Sequence, residues 1–352
     1  MDTKYKYPTR YEIEQALGEL STRKFLDHFA QTRGVFITKV IQSELAEVVS
    51  GFFFEHSDIE EIRKAAFRIH AKNTLAGFIV HSEEKDFDLV SHIDELRHSN
   101  RMGRDTTLSP IVADHQDDSR KIFKGTINYV ERKPGRVEFL HEYQRAFDFF
   151  IEQSDEGSWQ VLIDCNKSAD ARILEELVNR TTKKNTRLAI LDQDILTSEQ
   201  TIRFFDELAT RGMSKDWNFN EVKQLVFRRP KDEEDEEVDK SALTGITQAI
   251  LEGNDLRDNP FVKQSEKSGY RFTAMTFEYE HKKRPFIIQI HSEFKGRPKV
   301  FEVSIVNIKS REGIDEKLKP FETSENEEMQ IRSGFWIIAK KIYDELIAEN
   351  DL

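Results

Sequence analysis

Three aspartates stand where chemistry could be done. Asp164 follows the apolar run Trp159–Ile163, and Asp192 and Asp194 follow the run Arg187–Leu191. In open α/β sheets, ligands bind just beyond the carboxyl ends of the strands. Carboxylates gathered there can hold Mg²⁺, which prefers carboxylates, water and phosphate oxygens, and so can serve phosphoryl transfer. One expectation is therefore a catalytic set of Asp164, Asp192 and Asp194, with Asp192 and Asp194 as metal ligands. The plainer alternative is that an Asp after a strand starts a turn or caps a helix.

A second group is basic. Lys282, Lys283 and Arg284 fall at one turn, and Lys295, Arg297 and Lys299 at the next, beside Phe286, Phe294 and Phe301. Between Lys263 and Glu312 there are eleven Lys or Arg against six Glu, a local reversal in a chain of net charge −12. Basic side chains and aromatics on a sheet hold single-stranded nucleic acid, because charge follows the backbone and rings stack on bases. The six basic residues and Phe294 are the candidate nucleic-acid contacts. The competing reading is that turn lysines only protect sheet edges from aggregation.

Other chemistry finds less support. The single cysteine, Cys165, rules out a disulfide framework within one chain. His92 and His98 are six apart, which separates them around a helix. The run Asp114-His115-Gln116-Asp117-Asp118 is polar enough to hold a divalent ion, yet such loops are usually just solvated. The phosphate-loop, dinucleotide and nucleophile-elbow glycine patterns do not occur. No cofactor is expected, apart from Mg²⁺ if the aspartates are catalytic.

The pair Asp192-Gln193-Asp194 after an apolar strand resembles the acidic motif of Toprim domains, and Ser168-Ala169-Asp170 after the preceding strand is similar in feel. Toprim domains carry a glutamate, usually followed by Gly, after their first strand. This chain has Asp164-Cys165-Asn166 there. The likeness spans about 35 residues and implies Mg²⁺-dependent phosphoryl chemistry.

The elements that must position these residues read as α+β and multi-domain. Residues 1–108 carry helical spacing (Ile13, Leu17, Leu20; Leu45, Val48, Val49, Phe52; Ile59, Ile62, Ala66) and predict a mostly helical domain. Residues 119–229 predict an α/β layered domain, a hairpin followed by β-α-β-α-β. In it Ser168 caps one helix, and Thr197 with Gln200 forms a capping box on the next. Asp232 to Glu237 is a run of six acids, which repel one another and predict a solvated linker over 230–240. Residues 241–352 predict a separate α+β domain. It opens with a helix through Leu243, Ile246, Ile250 and Leu251, continues as a three-stranded antiparallel meander, and closes with a helix over about Glu327–Glu349.

With 26 Phe the chain can build real cores despite being 34% charged. A polar N-terminus and the lack of a long apolar run predict a cytoplasmic protein with no membrane partner. The leading expectation is a non-enzymatic accessory or interaction protein. It would bind a protein partner, itself or nucleic acid within a larger assembly, in nucleic-acid handling or antiviral (anti-phage) defence. The rival is a Mg²⁺-dependent nuclease or phosphotransferase.

Overall fold

The computed structural model describes residues 7–349, apart from 21–22, 37, 39–40, 68–73, 85, 98–104, 117–120, 133–136, 156, 182–185, 230–247, 312–317 and 322. Four helices come first: α1 (Arg10–Leu20), α2 (Arg23–Gln31), α3 (Gln42–Ser50) and α4 (His56–Ala66). Next are β1 (Thr74–Ser82), α5 (Leu89–Arg97), β2 (Thr106–Leu108), β3 (Val112–Gln116), β4 (Lys121–Arg132), β5 (Glu142–Asp155) and β6 (Ser158–Cys165). Then follow α6 (Ser168–Thr181), β7 (Thr186–Ala189), α7 (Ser198–Arg211), β8 (Trp217–Arg228), β9 (Gln248–Glu252) and α8 (Pro260–Lys267). The chain ends with β10 (Arg271–His281), β11 (Phe286–Gly296), β12 (Lys299–Arg311), β13 (Leu318–Pro320) and α9 (Glu325–Ala348). The α+β class is as expected.

The chain divides into two compact units. The first holds Met1–Ala71, Arg101–Ser109 and Ile127–Ala146. Its core is one stripe from each helix: Ile13, Ala16 and Leu17; Leu26, Phe29 and Ala30; Leu45, Ala46 and Val49; Ile59 and Ile62. These are the three- and four-residue spacings that put side chains on one helical face. Phe29 stacks between Phe25 and Phe54, with centroids 5.9 and 5.6 Å away.

The second unit holds Lys72–Asn100, Pro110–Thr126 and Phe147–Leu352. Its sheet runs β5-β6-β1-β12-β11-β10-β8-β9, with β7 beside β1 and β13 beside β12. Every strand pairing described here is antiparallel. One face is packed by α7 and α9 around Phe204, Phe205, Phe277, Phe294, Phe301, Phe335 and Trp336. Burying each such ring stabilises the fold by about 1.5–3 kcal/mol. The capping box at α7 forms as predicted: Thr197 accepts from the Gln200 N–H at 3.1 Å, and Gln200 accepts from the Thr197 N–H at 3.0 Å.

The division differs from the three domains expected. The acidic run lies outside the described residues, but the strands flanking it belong to one sheet. Before it, β8 pairs with β10 after it, Phe227 opposite Phe272. A run of like charges shows only that a segment is solvated; it does not show that the strands on either side part company. β1 and α5, expected within the helical domain, lie in the second unit, where β1 sits between β6 and β12. Residues 248–252, expected to be helical, form the strand β9 beside β8.

Candidate nucleic-acid interface

Asp192 and Asp194 come together, but Asp164 is engaged elsewhere. Asp164, on β6, accepts from the Arg332 guanidinium of α9 at 2.7 Å, and Arg332 is almost wholly buried. Burial pushes the Asp164 carboxyl above its usual value even though Arg332 pulls it down. Asp192 and Asp194 instead both bind Lys299 Nζ, at 2.8 and 2.7 Å. Asp192 also caps the turn that follows it by accepting from the Asp194 N–H at 3.0 Å, while its backbone exchanges hydrogen bonds with the Tyr343 hydroxyl. Arg332 and Tyr343 are eleven residues apart on α9, about 16 Å along its axis. The crevice rule that suggested the triad applies to parallel sheets, where strand ends face a common cleft. Here β6 and β7 run in the same direction but are not neighbours, because the antiparallel β1 lies between them. Among the described residues, no group of three or more His, Cys, Asp or Glu is arranged to hold a metal ion. Nor is any described helix long and apolar enough to cross a membrane.

The six basic residues also separate. Lys282, Lys283 and Arg284 join β10 to β11, while Lys295, Arg297 and Lys299 cluster where β11 meets β12. Because β11 spans eleven residues, the two turns lie at opposite ends of the sheet, roughly 35 Å apart. Their electrostatics differ as well. At the β11–β12 end, Lys295 pairs with Glu293, and Lys299 with the two aspartates. Phe294 is not a stacking surface. It is 5% exposed and packs its ring against Phe204, Phe205 and Phe301. Strand alternation points it into the core, and counting aromatics near charges cannot reveal that.

The β10–β11 end is different. Lys282 Nζ donates to the Lys215 carbonyl at 2.5 Å, which ties the turn to the start of β8. The end of β12 and β13 arrive at the same edge: Ser310 is opposite Phe286 and Lys319, and the Arg311 N–H donates to the Pro285 carbonyl at 2.8 Å. Lys215, Lys282, Lys283, Lys309 and Lys319 thus collect at one end of the sheet, and none has a carboxylate partner among the described residues. The two arginines there are paired, Arg284 with Glu327 at 3.2 Å and Arg311 with Glu280 at 3.4 Å. Aromatic rings are interleaved with the lysines. Phe286 lies tilted against Phe321 at 4.5 Å under the Arg284 guanidinium, and Trp217 meets His281 edge-on at 4.9 Å. His281 Nδ1 accepts from the Lys283 and Arg284 N–H groups, each at 3.1 Å. Burial and the neighbouring Arg284 charge hold its pKa below the usual histidine value. Lys215, Trp217, Lys309 and Lys319 escaped sequence reading because they sit on three other segments, and only strand pairing brings them to the turn.

Sequence reading also missed a polar row on the sheet face opposite Phe294 and Phe301. Thr276 Oγ1 lies 2.9 Å from His291 Nδ1, and His291 Nε2 lies 3.6 Å from Glu293. Glu293 is directly opposite Glu302. Burial drives Glu302 above its ordinary value. Burial pushes Glu293 the same way, but hydrogen bonds from His291 and Lys295 overcome it and hold Glu293 below. Hydroxyl, imidazole and carboxylate in that order can activate a nucleophile. Thr276 is only 5% exposed, however, so its hydroxyl is not offered to a substrate. The alternating Gln289, His291 and Glu293 between Ile288, Ile290 and Phe294 was the available signal.

No family model matches this chain, and no curated protein matches it. Among solved structures, one match is DynU16, described as a protein in the dynemicin biosynthetic locus. It is 10% identical over 78% of this chain and 98% of its own, with a TM-score of 0.15, a value from which no likeness of fold or function follows.

Proposed function

We propose that this protein binds nucleic acid through the lysine-rich β10–β11 end of its second unit, as a binding component of a larger assembly and not as an enzyme. The observation that carries this reading is the convergence of five lysines, none with a carboxylate partner among the described residues, at one sheet end beside partly exposed aromatic rings. Ammonium groups attract phosphates and release counterions, which supplies most of the affinity of such contacts. The overall charge of −12 makes the patch selective in orientation, since the rest of the surface repels a polyanion. The β11–β12 end is excluded from the site because its lysines are already paired. Nucleic-acid handling or defence against foreign nucleic acid is the setting in which such a component would act.

The test is fluorescence anisotropy with labelled 20-nucleotide single strands and duplexes at low salt. A Lys282→Ala/Lys283→Ala variant should lose most of its affinity, and Arg297→Ala, at the opposite end of the sheet, should keep it. Equal losses in the two variants, or no binding by the wild type, would overturn the reading.

A further inference from the structure

Two aromatic side chains beside the lysines give the site a preference among nucleic acids. Trp217 and Phe219 are alternate residues of β8 and so share one face of the strand. Phe219 is 36% exposed, and Trp217 is partly exposed. Each is held by a neighbour opposite it on β10: Trp217 edge-on to His281 at 4.9 Å and Phe219 edge-on to Tyr279 at 5.7 Å. Trp217 also rests on the hydrophobic core, so it offers only its outward side, while Phe219 is the more open of the two rings. Lys282 Nζ, bonded to the Lys215 carbonyl two residues before Trp217, seats an ammonium beside the first ring. Two strand residues rise about 6.6 Å, close to two 3.4 Å base steps.

We infer that this end of the sheet takes single-stranded nucleic acid, with unpaired bases stacked on Trp217 and Phe219 and the backbone phosphates on the adjoining lysines. The inference rests on the nucleic-acid reading above and adds the form of the ligand. A duplex presents its base faces only to one another, so it could use the lysines but not the rings. Alternate aromatics on an exposed strand are the general means by which sheets hold unpaired bases.

The chain has three tryptophans, and two of them, Trp159 and Trp336, are 5% and 0% exposed. A base stacking on Trp217 would therefore quench the one indole within reach. The experiment titrates the full chain with a 12-nucleotide oligo(dT) and with a 12-base-pair duplex, following tryptophan emission and the anisotropy of a labelled end. The single strand should quench emission and the duplex should not. Phe219→Ala should weaken the single strand roughly tenfold, within the range expected for one stacked base, and leave the duplex unchanged. Trp217→Phe should abolish the quench while keeping much of the affinity, which guards against misfolding of the alanine variant. Binding of both forms without a quench, with Phe219→Ala neutral, would overturn the single-strand preference alone. Binding of neither form would remove the nucleic-acid reading itself.

Discussion

Replacing Asp164 by Ala separates a structural role from a catalytic one. Arg332 is 3% exposed, so removing its carboxylate partner leaves a guanidinium buried and uncompensated. Arg332 Nε has no hydrogen-bond partner among the described residues, so the carboxylate is its principal compensation. Breaking a buried pair from one side typically costs about 3–5 kcal/mol. At about 2–4 °C per kcal/mol for a unit of this size, the melting temperature should fall by roughly 6–20 °C. Burial has already raised the Asp164 pKa despite Arg332, which shows that desolvation outweighs the attraction. Replacing both members, as Asp164→Ala with Arg332→Leu, should then recover most of the loss, because the charge and its desolvation go together. Thermal unfolding followed by circular dichroism on the four proteins gives the coupling directly. A single variant as stable as the wild type would refute the pairing argument and return Asp164 to the list of candidate ligand contacts.

Three further outcomes follow from the same geometry. Glu302 binds its proton more tightly folded than unfolded, so its contribution to stability falls as pH rises from the ordinary carboxylate value through its raised one. Glu302→Gln should therefore gain on the wild type more at pH 8 than at pH 4, and a difference independent of pH would contradict this. Asp192→Asn with Asp194→Asn frees a largely exposed Lys299 and should change stability by under about 1 kcal/mol in urea unfolding. Gly77→Ala places a Cβ 2.8 Å from Trp336 and from the Val161 carbonyl, and 2.9 Å from Leu162. That overpacking should cost about 1–3 kcal/mol, which a denaturant midpoint would register.

Much of the second unit could be read locally. Alternation in Phe301, Val303 and Ile305, the Thr197–Gln200 box and the apolar stripe of α9 each depend on a few neighbouring residues, and each element formed close to its expected bounds. What could not be read were long-range pairings. β1 is separated from β6 by about 80 residues, and nothing in Leu75–Val80 names Val161–Asp164 as its partner. Short apolar segments misled for a different reason. Ile250 and Leu251, with Ile246, fit a helical period, yet 248–252 pairs with β8, because so few residues cannot separate the two periods. The candidate site was half visible for the same reason: the turn Lys282–Arg284 is contiguous, whereas Lys215, Trp217, Lys309 and Lys319 join it only through the register of five strands.

The central claim is tested most directly by the salt dependence of binding. Five phosphate contacts to a single strand predict a slope of log K against log salt of about −3.5, at roughly −0.7 per contact. The Lys282→Ala/Lys283→Ala variant should lower its magnitude to about −2, while Arg297→Ala should leave it at the wild-type value. A slope unchanged by the double variant, or reduced equally by Arg297→Ala, would place the phosphate contacts elsewhere and contradict the assignment of this end of the sheet.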